Sequence, residues 1–306
     1  MKKADMIYDL SAIWAAVNEE YPYFDRLPFD WDEQYRLYLE KLLLIDKEGD
    51  FHQLLFEFLE SLHDGHTKYI PPQPFRKTAP FVRPDVPSYT LEKDVLTIKL
   101  NEFLEDYSSY VSKLLMEHRN VSLVRLDIRD NRGGNTFYAA KVAQLFISGV
   151  FRGCQKWTQL RKANEAATSS ILMWEKEELL QQHLRDGLIT EEDVRDAKSY
   201  MRHTKYETYT DTHGSEDHAA LYTGPLQLLI SKRTFSAAED FTAMFKSNHR
   251  ATIIGEATAG STGTPFMIKL RCGGHAQVVS VGYRLLDGTE FIGRGIEPDV
   301  HESSLP

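Results

Sequence analysis

Leu10, Ile13, Trp14 and Val17 recur at intervals of three and four, the period at which a helix gathers apolar side chains on one face. Leu42, Leu43 and Leu44 mark a second such stretch. Phe51, Leu54, Leu55, Phe58 and Leu62 mark a third, so residues 1–72 read as an N-terminal helical domain, a small bundle. Pro71 and Pro72 end it, because proline lacks an N–H and fixes φ. Pro74, Pro80, Pro84 and Pro87 extend the interruption into a proline-rich linker over 73–90.

Downstream the rhythm changes to short β-branched runs alternating with helical patterns. VLTIKL at 95–100 and VSLVRLDIR at 121–129 predict buried strands, with helices expected around 105–117 and 136–147. LQLLIS at 226–231 and ATIIGE at 251–256 predict further strands around a helix at 237–247; FMIKLR and AQVVSVGYRLL read as strands near the end. This is an α/β core, 91–149 and 223–306. The very polar stretch between them, 150–222, predicts a helical insertion.

A chain of 306 residues with 42% hydrophobic positions is large enough for a substantial core. Lys and Arg number 36 against 45 Asp and Glu, a net charge of −9, the wrong sign for a general nucleic-acid binder. No run approaches the roughly 20 apolar residues that span a bilayer. Two cysteines, Cys154 and Cys272, suit neither a disulfide framework nor a zinc ribbon. Asp5 and Asp9 break the apolar start, which therefore reads as mature sequence and favours a cytoplasmic location, unless a leader was removed. Neither a metal nor another cofactor is expected.

Four segments could carry chemistry. In SKRTFSAAED, Ser236 follows a strand and opens a helix, where free N–H groups and the helix dipole favour an oxyanion; the simpler reading is that Ser236 or Thr234 caps the helix, as most such residues do. In DNRGGN, Gly133 and Gly134 could turn a backbone N–H toward a ligand or simply make a strand-to-helix turn. In SLHDGHT, His63 and His66 lack the partners of a metal site, and His66, beside Gly65, is the better general-base candidate. Of Asp287, Glu290, Glu297 and Asp299, Glu290 is the acid best placed after a turn to point inward and orient a histidine.

Taken in order, DGHT, LDIRDNRGG, TFSAAED, IIGEATAGSTG and GRGIEPDV resemble the C-terminal processing, or tail-specific, serine protease family, and more closely its branch of tricorn-core and interphotoreceptor retinoid-binding-protein-like members. The resemblance covers about 60–149 and 223–300. It implies a crotonase/ClpP-like spiral of ββα units and hydrolysis of polypeptide substrates, and it is compatible with a homo-oligomer. It implies Ser236 as nucleophile, His66 as base, and an oxyanion hole from the N–H of Ala237 and of Gly133 or Gly134, with Glu290 as the supporting acid. Members with a Ser–Lys dyad carry a lysine where this chain has Ser261 and Thr262, so the dyad is absent. The tricorn branch has a serine immediately before the histidine, where Gly65 stands here, and the 25 or so residues between Ile70 and Asp94 cannot hold a PDZ module.

Three other functions compete with this reading. A non-catalytic binder of hydrophobic ligands or peptides on the same fold would use a pocket lined by Phe137, Phe241 and Phe245. An α/β-hydrolase needs GxSxG, which the chain lacks. A crotonase-like acyl-CoA enzyme would have no use for TFSAAED.

Overall fold

The computed structural model describes residues 1–75, 86–159, 184–185 and 206–301. Three helices open the chain, α1 (Lys3–Glu20), α2 (Trp31–Leu43) and α3 (Glu48–Glu60). Asp30 caps α2 by accepting the Glu33 N–H at 2.9 Å, and Trp31 stacks on Phe58 of α3. The helices do not close a core by themselves. Leu10, Ile13, Val17, Phe51 and Leu55 share one apolar cluster with Tyr69, Ala276, Val278 and Val279, which come from the strands β1 (Lys68–Ile70) and β10 (His275–Val279). Those two strands form a small antiparallel sheet with β9 (Pro265–Lys269). The buried carboxylate of Asp9 on α1 accepts the N–H groups of Arg271 and Cys272 at 2.7 and 2.9 Å, fixing the helix to the β9–β10 turn. The expected self-contained bundle is therefore a helical layer completed by C-terminal strands, a long-range pairing to which helical periodicity is blind.

The central sheet has six strands in the order β12-β8-β7-β4-β3-β2. These are β2 (Ser88–Glu92), β3 (Val95–Lys99), β4 (Leu123–Asp127), β7 (Leu226–Ile230), β8 (Thr252–Gly255) and β12 (Val300–His301). All pair in parallel except β2, which runs antiparallel to β3. Burial alternates along β3, β4 and β7: Leu96, Ile98, Val124, Leu126, Leu228 and Ile230 are enclosed, whereas Thr97, Arg125 and Gln227 between them are half-buried and Arg125 Nε donates to Gln227 Oε1, so one face of the sheet packs on the core. The helices α4 (Ser108–Glu117), α5 (Thr136–Ala143) and α6 (Ala237–Ser247) contribute Val111, Leu115, Ala140, Phe241 and Phe245 to the same core. A mixed α/β architecture is thus as expected, and β2 begins within the stretch read as linker.

One prediction fails at its ends. Residues 151–159 and 206–213 fall in the stretch whose polarity predicts a helical insertion, yet they form β5 (Phe151–Gln159) and β6 (Tyr206–His213), paired antiparallel in a third sheet with β11 (Val281–Arg284). Trp157, Tyr206, Thr208, Tyr209 and Thr210 are β-favouring residues whose signal was overridden by the polar, helix-patterned middle of the segment. That middle, over 160–183 and 186–205, lies outside the described residues. Similarly, 276–286 is two strands, β10 and β11, which part at Ser280 and join different sheets.

Because β4, β7 and β8 are parallel neighbours, the loops that leave their carboxyl ends emerge on one edge. These loops carry Gly133–Gly134, Ser236 and Ser261. Among the described residues, no helix is long and apolar enough to cross a membrane.

Candidate active site

Ser236 stands at the junction of β7 and α6, with φ 59° and ψ −128°, a conformation that non-glycine residues rarely adopt. The surrounding turn holds it there. Thr234 is fully buried; its hydroxyl donates to the Ile128 carbonyl at 3.0 Å and accepts the Ser231 N–H at 3.0 Å, which ties the end of β7 to the loop after β4. The Phe235 N–H donates to the Asn131 carbonyl at 3.1 Å, and the Ser236 N–H donates to the Ser261 carbonyl at 2.9 Å. Ser236 is partly exposed.

His66 reaches this hydroxyl from the other half of the molecule. It lies between α3 and β1, where the Asp64 carboxylate accepts the N–H groups of His66 and Thr67, and the side chain of Gln277 on β10 donates to the His66 carbonyl at 2.8 Å. Its imidazole stacks on the ring of Phe235 at 4.5 Å between centroids and 4° between planes. Nε2 is 3.1 Å from Ser236 Oγ and Nδ1 is 2.6 Å from Ser261 Oγ.

The tautomer follows from a proton count. Ser261 Oγ is also 2.6 Å from the Asp64 carbonyl oxygen, which can only accept. The one hydroxyl proton of Ser261 is thereby used, so the Ser261 oxygen accepts from His66 Nδ1–H. Nε2 is then the unprotonated nitrogen, and it faces the Ser236 hydroxyl. Burial depresses His66 to about 4, with the Asp64 carboxylate opposing and the Lys68 ammonium adding to the fall. The imidazole is neutral across the physiological range.

Ser261 Oγ also occupies a position that the local backbone leaves empty. Gly65 has φ 74°, and a Cβ built on it would lie 2.5 Å from Ser261 Oγ. The hydroxyl that the tricorn-like resemblance would put on residue 65 therefore arrives from residue 261, in a different loop. Glu239, on the first turn of α6, holds that loop. Its Oε2 accepts from the Ser261 N–H at 2.8 Å and the Ser236 N–H at 3.3 Å, and its Oε1 from Gly260 N–H at 2.8 Å and the Thr258 hydroxyl at 2.6 Å. Burial pushes this carboxyl up to about 7 against the pull of those four donors.

The glycine pair packs against the same turn. A Cβ at Gly133 would stand 2.7 Å from Ser236 Cβ and 2.8 Å from the Ala237 nitrogen, so no side chain fits there. Gly133 and Gly134, offered as alternatives by the sequence, differ in availability. The Gly133 N–H donates to Asn131 Oδ1 at 2.8 Å. Around Gly134 the chain bridges to Phe103 through Gly133 and Asn135, which turns the Gly134 N–H to the opposite side. Among the described residues neither Gly134 nor Ala237 donates its N–H to another group of the chain.

Glu290 is not brought to His66. It lies at the surface in an ion pair with Arg26, whose guanidinium sits over the rings of Tyr23 and Trp157. The Nδ1 position that a carboxylate would take is filled by Ser261. His63 is exposed and lies beyond the end of α3, so it shares no helical face with His66. Among the described residues no group of three or more His, Cys, Asp and Glu could hold a metal ion. Phe241 and Phe245 are fully enclosed in the core while Phe137 is exposed, so the three do not line a common pocket.

Ser261, Phe235 and Glu239 are the residues that sequence reasoning missed. Ser261 lies inside the GEATAGSTG segment, where the family resemblance draws attention to a lacking lysine and not to the serine itself. Glu239 stood inside TFSAAED, three residues after Ser236, a spacing that signals a carboxylate reaching back to the helix start.

Comparison with known proteins decides the family. The model of peptidase family S41 matches residues 94–302. The chain belongs to peptidase family S41. It is a serine-type peptidase by that membership, and His66 lies upstream of the matched segment. Among curated proteins none matches the chain. Several solved structures share the fold. A candidate peptidase from Parabacteroides merdae ATCC 43184 superposes with a TM-score of 0.69 at 18% identity, covering 98% of this chain and 90% of its own. Mature CPAF in complex with lactacystin gives 0.68 at 14%, covering 98% and 94%. The photosystem II D1 C-terminal processing protease gives 0.56 at 15%, covering 98% and 94%.

Proposed function

We propose that this S41 member is an endopeptidase in which Ser236 attacks the carbonyl of a peptide substrate and His66 serves as general base. One observation carries the reading: His66 Nε2, left unprotonated by the Ser261–Asp64 chain, lies 3.1 Å from the Ser236 hydroxyl. Proton transfer to Nε2 accompanies attack, and the resulting imidazolium keeps its Nδ1–H on Ser261. The tetrahedral oxyanion is received by the N–H groups of Ala237 and Gly134, of which the first is at the positive end of α6. His66 then returns the proton to the leaving amine, and water repeats the sequence on the acyl-enzyme. The chain uses a serine hydroxyl to orient the base, in place of an acid, so the supporting residue is Ser261 and not Glu290.

A fluorophosphonate probe tests this without knowledge of the natural substrate. The wild-type chain is labelled, and Ser236→Ala is not. Labelling of Ser236→Ala at the wild-type rate, or none of the folded wild type, refutes the assignment. Cleavage of denatured casein by wild type and not by Ser236→Ala extends the result from acyl transfer to proteolysis. The binder reading gains nothing from Phe137, Phe241 and Phe245, given where they lie.

A further inference from the structure

Asp240 lies one helical turn beyond Ser236 and is enclosed in the protein, 4% exposed. Each of its oxygens accepts one threonine hydroxyl: Oδ2 from Thr136 at 2.6 Å and Oδ1 from Thr262 at 2.9 Å. An enclosed acid carries a desolvation cost, and an apolar side chain of similar volume usually stabilises a core at least as well. What distinguishes Asp240 is the location of its two partners. Thr136 is two residues beyond Gly134, and Thr262 directly follows Ser261.

Several hydrogen bonds join the segment before the glycines to the turn that carries Ser236, among them the Thr234 hydroxyl to the Ile128 carbonyl at 3.0 Å and the Ser231 hydroxyl to the Arg129 carbonyl at 2.7 Å. Before the glycines, the Phe235 N–H donates to the Asn131 carbonyl at 3.1 Å; after them, Thr136 donates to Asp240. Phe103 N–H to the Gly133 carbonyl, Asn135 N–H to the Phe103 carbonyl and the Asn131 amide to the Leu100 carbonyl tie the loop to the segment that follows β3. Apolar packing of Ala139 and Ala140 in α5 against Phe241 and Phe245 in α6 draws the helices together, but it is non-directional and does not set their register to a fraction of an ångström.

We infer that Asp240 is a positioning residue that acts through Thr136 to set the Gly134 N–H relative to Ser236, and so shapes the oxyanion hole. The inference rests on the nucleophile and oxyanion assignments above. Without the Thr136–Asp240 bond, the glycine pair is joined to the nucleophile's helix at one end only. Developing negative charge on the substrate oxygen then meets a donor displaced from its best distance, which slows the chemical step and leaves initial capture unaffected.

The test compares wild type, Thr136→Val and Thr136→Ser in fluorophosphonate labelling, separating the maximal rate kinact from the half-saturating concentration KI. Thr136 is only half-buried at a helix start, so valine is accommodated, and thermal midpoints verify that each variant is folded. The expected result is a fall in kinact of about tenfold or more for Thr136→Val, with KI unchanged, and recovery in Thr136→Ser, which restores the hydroxyl. A wild-type kinact in Thr136→Val, or a Thr136→Ser variant as slow as Thr136→Val, overturns the inference and leaves the role of Ser236 standing. Absence of Ser236-dependent labelling in the wild type removes both.

Discussion

Ser261 Oγ stands 2.6 Å from His66 Nδ1, in the space that a side chain on Gly65, the residue just before the histidine, would otherwise fill. The Ser261 hydroxyl and the glycine are thus two halves of one arrangement. A histidine presented on a glycine-containing turn leaves room for a serine from a loop 195 positions away in the chain.

Ser261→Ala removes the acceptor for Nδ1–H and frees the imidazole to adopt the other tautomer. Fluorophosphonate labelling is expected to slow by about 10- to 100-fold, part of the 10²–10⁴ that a positioned base supplies. Gly65→Ala should be at least as damaging, because its methyl group collides with Ser261 and φ is 74°. A labelling rate within error of wild type in Ser261→Ala would dismiss Ser261 as the orienting group.

His66, held at about 4, gives the acid side of the pH–rate profile its position. The rate constant for labelling should stay level from neutral pH down to about 5 and fall only as pH passes through about 4, in contrast to the ordinary histidine value near 6.5. The same depression has a stability consequence. Between about 6.5 and 4 the unfolded chain binds a proton on this residue that the folded chain refuses, so folding stability declines as pH falls across that window and is complete above it. An acid limb centred near 6.5 would contradict the burial argument.

Ser236 adopts a backbone conformation that costs of the order of 1–3 kcal/mol for a residue with a Cβ. Ser236→Gly and Ser236→Ala should both be inactive, but the glycine variant should be more stable than the alanine variant in chemical denaturation. Equal stability would mean that the turn is unstrained.

Glu239 accepts four donors, two at each oxygen, so an amide in its place must turn its NH₂ toward two of them whichever way it is rotated. Glu239→Gln should lose about 1–3 kcal/mol for each donor left unsatisfied and slow labelling along with it. Its carboxyl, raised to about 7, contributes stability that is present below its ordinary value near 4.5 and is lost as pH rises through about 7. The thermal midpoint difference between wild type and Glu239→Gln should therefore narrow between pH 5 and 8; a constant difference would refute the raised value.

Much of the core was legible because it is local. The runs around Leu96, Val124 and Leu228 place apolar residues at alternate positions on the core face, a pattern that needs no distant neighbour to be seen, and Ser236 stands at the start of α6 as its sequence position implies. The helical layer was legible as helices but not as a layer, since Tyr69, Ala276 and Val278, which complete its core, are far away in sequence. β5 and β6 were misread because a polar, helix-like stretch between them dominated the pattern. Glu290 looked inward beside its turn, yet Arg26, 264 positions earlier, holds it at the surface.

From sequence alone came the kinds of groups available: a serine opening a helix, a glycine pair leaving a strand and a histidine on a turn. These depend on neighbours within a few residues, where backbone preference and side-chain chemistry are readable. Which nitrogen of His66 faces Ser236, which glycine has a free N–H, and which residue meets His66 Nδ1 were decided only when the parallel strands β4, β7 and β8 delivered their loops to one edge. Hydrogen bonds act over about 3 Å, and only the folded backbone brings residues so distant in sequence within that range.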